Sequence, residues 1–95
     1  MTAEELRTLE QLKERYALVE RLRASDGWKL FDQAFAFMEA QSYELLVGTA
    51  NPHEAAKHLG AYHAIRNART WPRRELEALL TQVNMMNDAA AAKIR

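Results

Sequence analysis

Residues 48–54 read Gly48-Thr49-Ala50-Asn51-Pro52-His53-Glu54, and this stretch frames the whole chain. Gly48 stands where a left-handed C-terminal cap belongs. Asn51 is a favoured N-cap, Pro52 suits the first helical position, where a missing N–H is no loss, and Glu54 completes a capping box. One helix therefore ends here and another begins. Toward the N-terminus, Trp28, Phe31, Phe35, Met38, Ser42 and Leu45 recur three and four apart, with Leu30, Ala34, Phe37 and Leu46 on the flank. That spacing predicts a helix over about 28–47 with a wide apolar face. Because it carries all three phenylalanines, it is expected to be the central core helix.

Ser25-Asp26-Gly27 interrupts the pattern, since Ser and Asp favour caps and Gly weakens a helix interior. Before it, Leu9, Leu12, Tyr16 and Val19, widened by Leu6, Leu18 and Leu22, form the stripe of a helix over about 3–24, opened by a Thr2–Glu5 capping box. A third helix runs from 52 to about Arg69. Trp71-Pro72 is expected to end it, because proline pushes the residue before it out of the helical region. A fourth helix then carries Leu76, Leu79, Leu80, Val83, Met86 and Ala90, and Met38, Met85 and Met86 are expected to fill gaps in the core. The expected architecture is all-α: an up-and-down bundle of three long helices plus a C-terminal helix, one domain over 1–95.

Composition agrees. The 95 residues include only three glycines and two prolines against many alanines, the best helix formers. A chain this short buries a modest fraction of its surface, so completion of the bundle by self-association is expected, and with it a homo-oligomer. Thirteen basic residues balance thirteen acidic ones, which excludes a wholly basic nucleic-acid coat or an acidic tail. No cysteine is present, so there is no disulfide, thiolate metal site or thiol nucleophile. Met1-Thr2-Ala3-Glu4-Glu5 lacks the basic start of a secretory signal, and no long apolar run occurs; a cytoplasmic protein without a membrane partner is expected.

Chemistry-bearing residues form no constellation. His53, His58 and His63 are five apart, which turns each about 140° from the last and gives them no common metal face. Glu54 and His58 are one turn apart and read as a surface pair. Asp32, Glu39 and Glu44 read as solvated helix face, Ser25 as a cap and Ser42 as a small core residue, and the glycines stand too far apart for a phosphate loop. The expectation is no catalytic residue, no cofactor, no metal and no enzyme.

Charge distribution says more. Residues 55–74 hold Lys57, Arg66, Arg69, Arg73 and Arg74 with no acid, whereas 27–54 hold one base against four acids. If the helices run up and down, the breaks near 25–27 and 70–72 share an end, gathering these arginines with Arg21, Arg23 and Lys29 near Trp28 and Trp71. Arg73 and Arg74 would also occupy the first turn of a helix, where the dipole disfavours cations. Such a local inconsistency points to function. Arg66, Arg69, Arg73, Arg74, Trp71 and Trp28 are therefore the candidate partner-binding residues, facing an acidic protein surface or phosphates. Ala56, Gly60, Ala64 and Ala68, four apart, form a row of small residues expected to mark a close helix–helix contact.

Two resemblances follow. Glu54-Ala55-Ala56-Lys57-His58-Leu59-Gly60 resembles the first half of a helix-turn-helix, although Ala61-Tyr62-His63-Ala64-Ile65 continues with helix formers and Arg66 stands where an apolar residue belongs. Over residues 18–72, Leu18 and Leu22 with Ser25-x-Gly27-Trp28-x-x-Phe31, then Asn51-Pro52-His53-Glu54, Gly60 with Ala64-Ile65, and Trp71-Pro72 resemble the small all-helical proteins of the head and virion genes of tailed bacteriophages. That resemblance implies a phage assembly or virion protein in a host cytoplasm or a particle, and transfers no functional residue. The expected function is a non-enzymatic helical interaction protein that self-associates and binds protein partners. The alternative is a small DNA-binding protein, for packaging or regulation, using the basic residues from Arg66 to Arg74; a protein sequestering a small anionic ligand between subunits, compatible with the basic end, is a third reading.

Overall fold

A computed structural model describes residues 1–94, and the described residues form three α-helices without a strand: α1 (Ala3–Ala24), α2 (Asp26–Gly48) and α3 (Pro52–Ile94). Each start is capped as its sequence dictates. The Glu5 N–H donates to the Thr2 hydroxyl oxygen at 3.1 Å, and that hydroxyl donates to the Glu5 carboxylate at 3.2 Å. Ser25 alone separates α1 from α2, its hydroxyl oxygen accepting from the Trp28 N–H at 3.1 Å. Asn51 Oδ1 accepts from the N–H groups of His53 at 2.9 Å and Glu54 at 3.3 Å.

Three boundaries differ from the sequence reading. Gly27 lies inside the first turn of α2, so the break before that helix is one residue wide. Gly48 is the last helical residue and has no positive φ; α2 is stopped by Thr49, which is extended at φ −98°, ψ 136°. The third correction is the largest: α3 does not end at Trp71, and Pro72 sits within it, so the expected third and fourth helices are one. A proline inside a helix costs about 3 kcal/mol, by the lost N–H and the clash with the carbonyl four residues back. Burial offsets part of that cost, for Pro72 is less than 2% exposed. Just upstream, the Thr70 hydroxyl donates to the carbonyls of Arg66 at 3.0 Å and Asn67 at 3.4 Å.

The reason α3 continues is visible in its covered positions. Ala55, His58, Tyr62, Ile65, Arg69, Pro72, Leu76, Leu79, Val83, Met86 and Ala90 are all buried or half-buried, and they alternate three and four apart without a shift of phase across the proline. That is a heptad stripe, the seam of helices that pack side by side.

The packing falls into two compact units. The first joins Met1–Ala24 to the chain from Pro72 onward. Its α1 stripe of Leu9, Leu12, Tyr16 and Val19 is covered as expected, and Val19, Leu76 and Leu79, 3–8% exposed, form a core against which Leu12 and Tyr16 pack. Ion pairs Arg15–Glu75 at 2.7 Å and Glu5–Lys93 at 3.6 Å show the two helices running antiparallel.

The second unit, Ser25–Trp71, is the hairpin of α2 and the first part of α3. No residue in it is buried, so α2 is not the central core helix that its phenylalanines suggested. Its covered face is also rotated. Trp28, Asp32, Phe35, Glu39, Ser42 and Leu46 are half-buried, while Phe31, Met38 and Leu45, expected on the core stripe, are exposed. Met85, in the first unit, is exposed as well and fills no core gap.

Candidate functional site

Arg69 explains the rotation of α2. It stands on the α3 stripe, where its Nε donates to Asp32 Oδ1 at 2.8 Å, its Nη2 reaches Asp32 Oδ2 at 3.5 Å, and its Nη1 donates to Glu39. The hydrogen bonds to Asp32 and then Glu39 push the guanidinium above its ordinary value, so it stays charged. Asp32 and Glu39, read from the sequence as solvated face, thus occupy seam positions one heptad apart. Of the apolar residues between them Phe35 and Ala36 stay half-buried, while Ala34, Phe37 and Met38 turn outward. Tyr43 and Tyr62 close the same hairpin with rings 5.9 Å apart, beside a recess lined by Ala36, Glu39, Ala40 and Arg69.

The outward result is an apolar surface on α2. Leu30, Phe31, Phe37, Met38 and Leu45 are 69, 59, 65, 46 and 54% exposed, and Phe31 leans on Phe35 with ring centroids 5.1 Å apart. Such a run on one helix exceeds the scattered exposed side chains of an ordinary monomer.

The basic residues are distributed differently from expectation. Trp28, Lys29, Arg66, Arg69 and Trp71 fall in the Ser25–Trp71 unit, while Arg21, Arg23, Arg73 and Arg74 fall in the other. Arg69 is engaged with its two acids. Arg66 is exposed, donates to the Tyr62 hydroxyl at 2.9 Å and lies 5.9 Å from that ring's centroid. Arg73 and Arg74 are exposed, as is Trp71 at 39%, and Trp28 is half-buried. Since no helix begins at Pro72, no helix dipole opposes Arg73 and Arg74, and the inconsistency that singled them out disappears.

Within a single chain the small-residue row is largely uncovered. Ala56, Gly60 and Ala64 are exposed and only Ala68 is half-buried; a Cβ on Gly60 would meet nothing within 4 Å. No helix of its own unit lies on this row, because packing follows the heptad stripe one position away. α3 also runs unbroken through Gly60, so the turn that a helix-turn-helix requires is absent and that resemblance ends there.

Glu54 and His58 do face each other, at 4.0 Å, and Glu54 also lies 3.6 Å from Lys57. Among the described residues no three or more His, Cys, Asp or Glu side chains are placed to hold a metal ion, and no helix is long and apolar enough to cross a membrane. No family model, no curated protein and no solved structure matches this chain.

Proposed function

We propose that the chain is a non-enzymatic helical interaction protein that self-associates, so completing a helical bundle, and binds protein partners. One observation carries this reading: the Ser25–Trp71 hairpin has no buried residue, although α2 holds every phenylalanine of the chain. In proteins most helical stability comes from tertiary packing of an apolar face, and here that packing leaves no residue fully buried. Cover from another chain supplies what the hairpin lacks. The role as a phage virion or assembly component rests on the resemblance over residues 18–72 and adds a setting, a particle built from many copies, in which such a surface is used.

Exposed Arg66, Arg73 and Arg74, with Trp71 among them, are the residues proposed to meet an acidic protein partner. The same arginines support the second reading, DNA binding, which requires affinity that falls steeply with salt as phosphate contacts release counterions. Light scattering at low and high salt, with and without a short DNA duplex, separates the two. The first reading expects an assembly that survives high salt and ignores DNA; a monomer that gains mass with DNA at low salt alone overturns it.

A further inference from the structure

Deepening that reading, and resting on its premise of self-association, we infer that the cover for α2 is the α2 of a second copy, packed antiparallel about a two-fold axis between Phe37 and Met38. Three observations converge on this occupant. At 3.6 residues per turn, positions 27, 30, 34, 37, 38, 41, 45 and 48 fall within an arc about 100° wide, the width of a packing face. No charged residue stands in that arc, and every residue in it is exposed. On a helix that carries Asp26, Lys29, Asp32, Glu39 and Glu44 elsewhere, an uncharged strip of this length is a selective arrangement.

The strip is also self-complementary. Read from its two ends it pairs Gly27 with Gly48, Leu30 with Leu45, Ala34 with Gln41 and Phe37 with Met38. An isologous two-fold contact needs this property, since each position meets its mirror in the other copy. Glycines at both ends let the backbones approach, and a Cβ on either meets nothing within 4 Å of its own chain. Bulky side chains meet at the centre and small Ala34 faces the second copy's longer Gln41.

The area is sufficient. The exposed parts of Leu30, Phe37, Met38 and Leu45 amount to roughly 400 Å², and with Phe31 on the border of the strip two copies bury on the order of 1,000 Å², about the least that a specific interface needs. Asp26 and Glu44 border the strip about 20° outside its edge, while Asp32 and Glu39, on the opposite face of α2, are held by Arg69 of their own chain, which lowers the net charge that two acidic helices bring together.

The test uses the full chain. Phe37→Glu replaces a 65% exposed side chain, so helicity by circular dichroism should persist while the light-scattering mass falls from dimer, or a multiple of it, to half that value. Because the chain has no cysteine, an equimolar mixture of Gly27→Cys and Gly48→Cys then reads the direction under mild oxidation. The antiparallel pair expects mixed Gly27→Cys/Gly48→Cys disulfides in excess; like-with-like disulfides overturn it. A wild-type oligomer whose mass is unchanged by Phe37→Glu overturns the α2 interface while self-association stands. A wild-type chain monomeric at about 100 μM, well above micromolar affinity, overturns both.

Discussion

Arg69 is the residue through which sequence becomes surface. By engaging Asp32 and Glu39 it seats two acids in the hairpin seam and leaves Phe31, Met38 and Leu45 outside. Arg69→Met strands both acids beside an uncharged partner, and the expected cost is about 1–2 kcal/mol, reduced by the solvent that reaches the group. In an Asp32→Asn/Glu39→Gln background the same change should cost under about 0.5 kcal/mol, since the coupling is already gone; urea unfolding of the four proteins checks both. A raised guanidinium contributes at every pH below the ordinary arginine value and loses that contribution only in strong alkali, so Arg69 itself adds no pH dependence near neutrality. Glu5 behaves oppositely. Burial would raise its carboxyl, but the Lys93 charge at 3.6 Å and the Thr2 hydrogen bonds together hold it below the usual value. Its contribution is present above the unfolded value and fades as pH falls through the lowered folded one. Lys93→Met should move the Glu5 titration, followed by NMR, upward; an unmoved midpoint would exclude the ion pair as its cause.

At the scale of elements, α3 holds the main surprise. Pro72→Ala removes a helix penalty of about 3 kcal/mol and forfeits the burial of two methylenes, about 1.6 kcal/mol, so the variant should gain roughly 1 kcal/mol and unfold at a higher temperature. A lower unfolding temperature would mean that the ring's packing outweighs the backbone cost. Gly60→Ala should likewise gain about 0.5–1 kcal/mol, because the position is mid-helix and open. Were the small row a close contact between copies, the same substitution would weaken the assembly. Much of this was legible beforehand. Thr2, Ser25 and Asn51 cap as their side chains dictate, and the α1 stripe lies where its leucines put it. The continuity of α3 was legible only in part: Ile65, Pro72, Leu76 and Leu79 keep one phase, but the charged Arg69 interrupts the apolar pattern and proline's local preference masked the rest. The α2 face was not legible. Its apolar residues cover so much of the helix that periodicity alone leaves the orientation open, and the choice falls to an ion pair between residues 37 apart.

For the whole molecule, burial is concentrated in one unit. Leu9, Val19, Pro72, Leu76 and Leu79 all lie with α1 and the helix from Pro72 onward, while the Ser25–Trp71 hairpin has half-buried residues but no fully buried one. A hairpin in that condition should open locally at little cost unless something covers it. Arg73→Glu/Arg74→Glu leaves both apolar faces intact, so it should preserve the mass of the assembly and abolish capture of an acidic partner. Loss of mass in that variant would assign the arginines to self-association instead. The most direct test of the central claim is amide hydrogen exchange in the full chain, wild type beside Phe37→Glu. Slow exchange along α2 is expected in the wild type and fast exchange in the variant, with protection around Val19, Leu76 and Leu79 equal in both. Equal protection of α2 in the two proteins would show that the hairpin does not depend on a second copy.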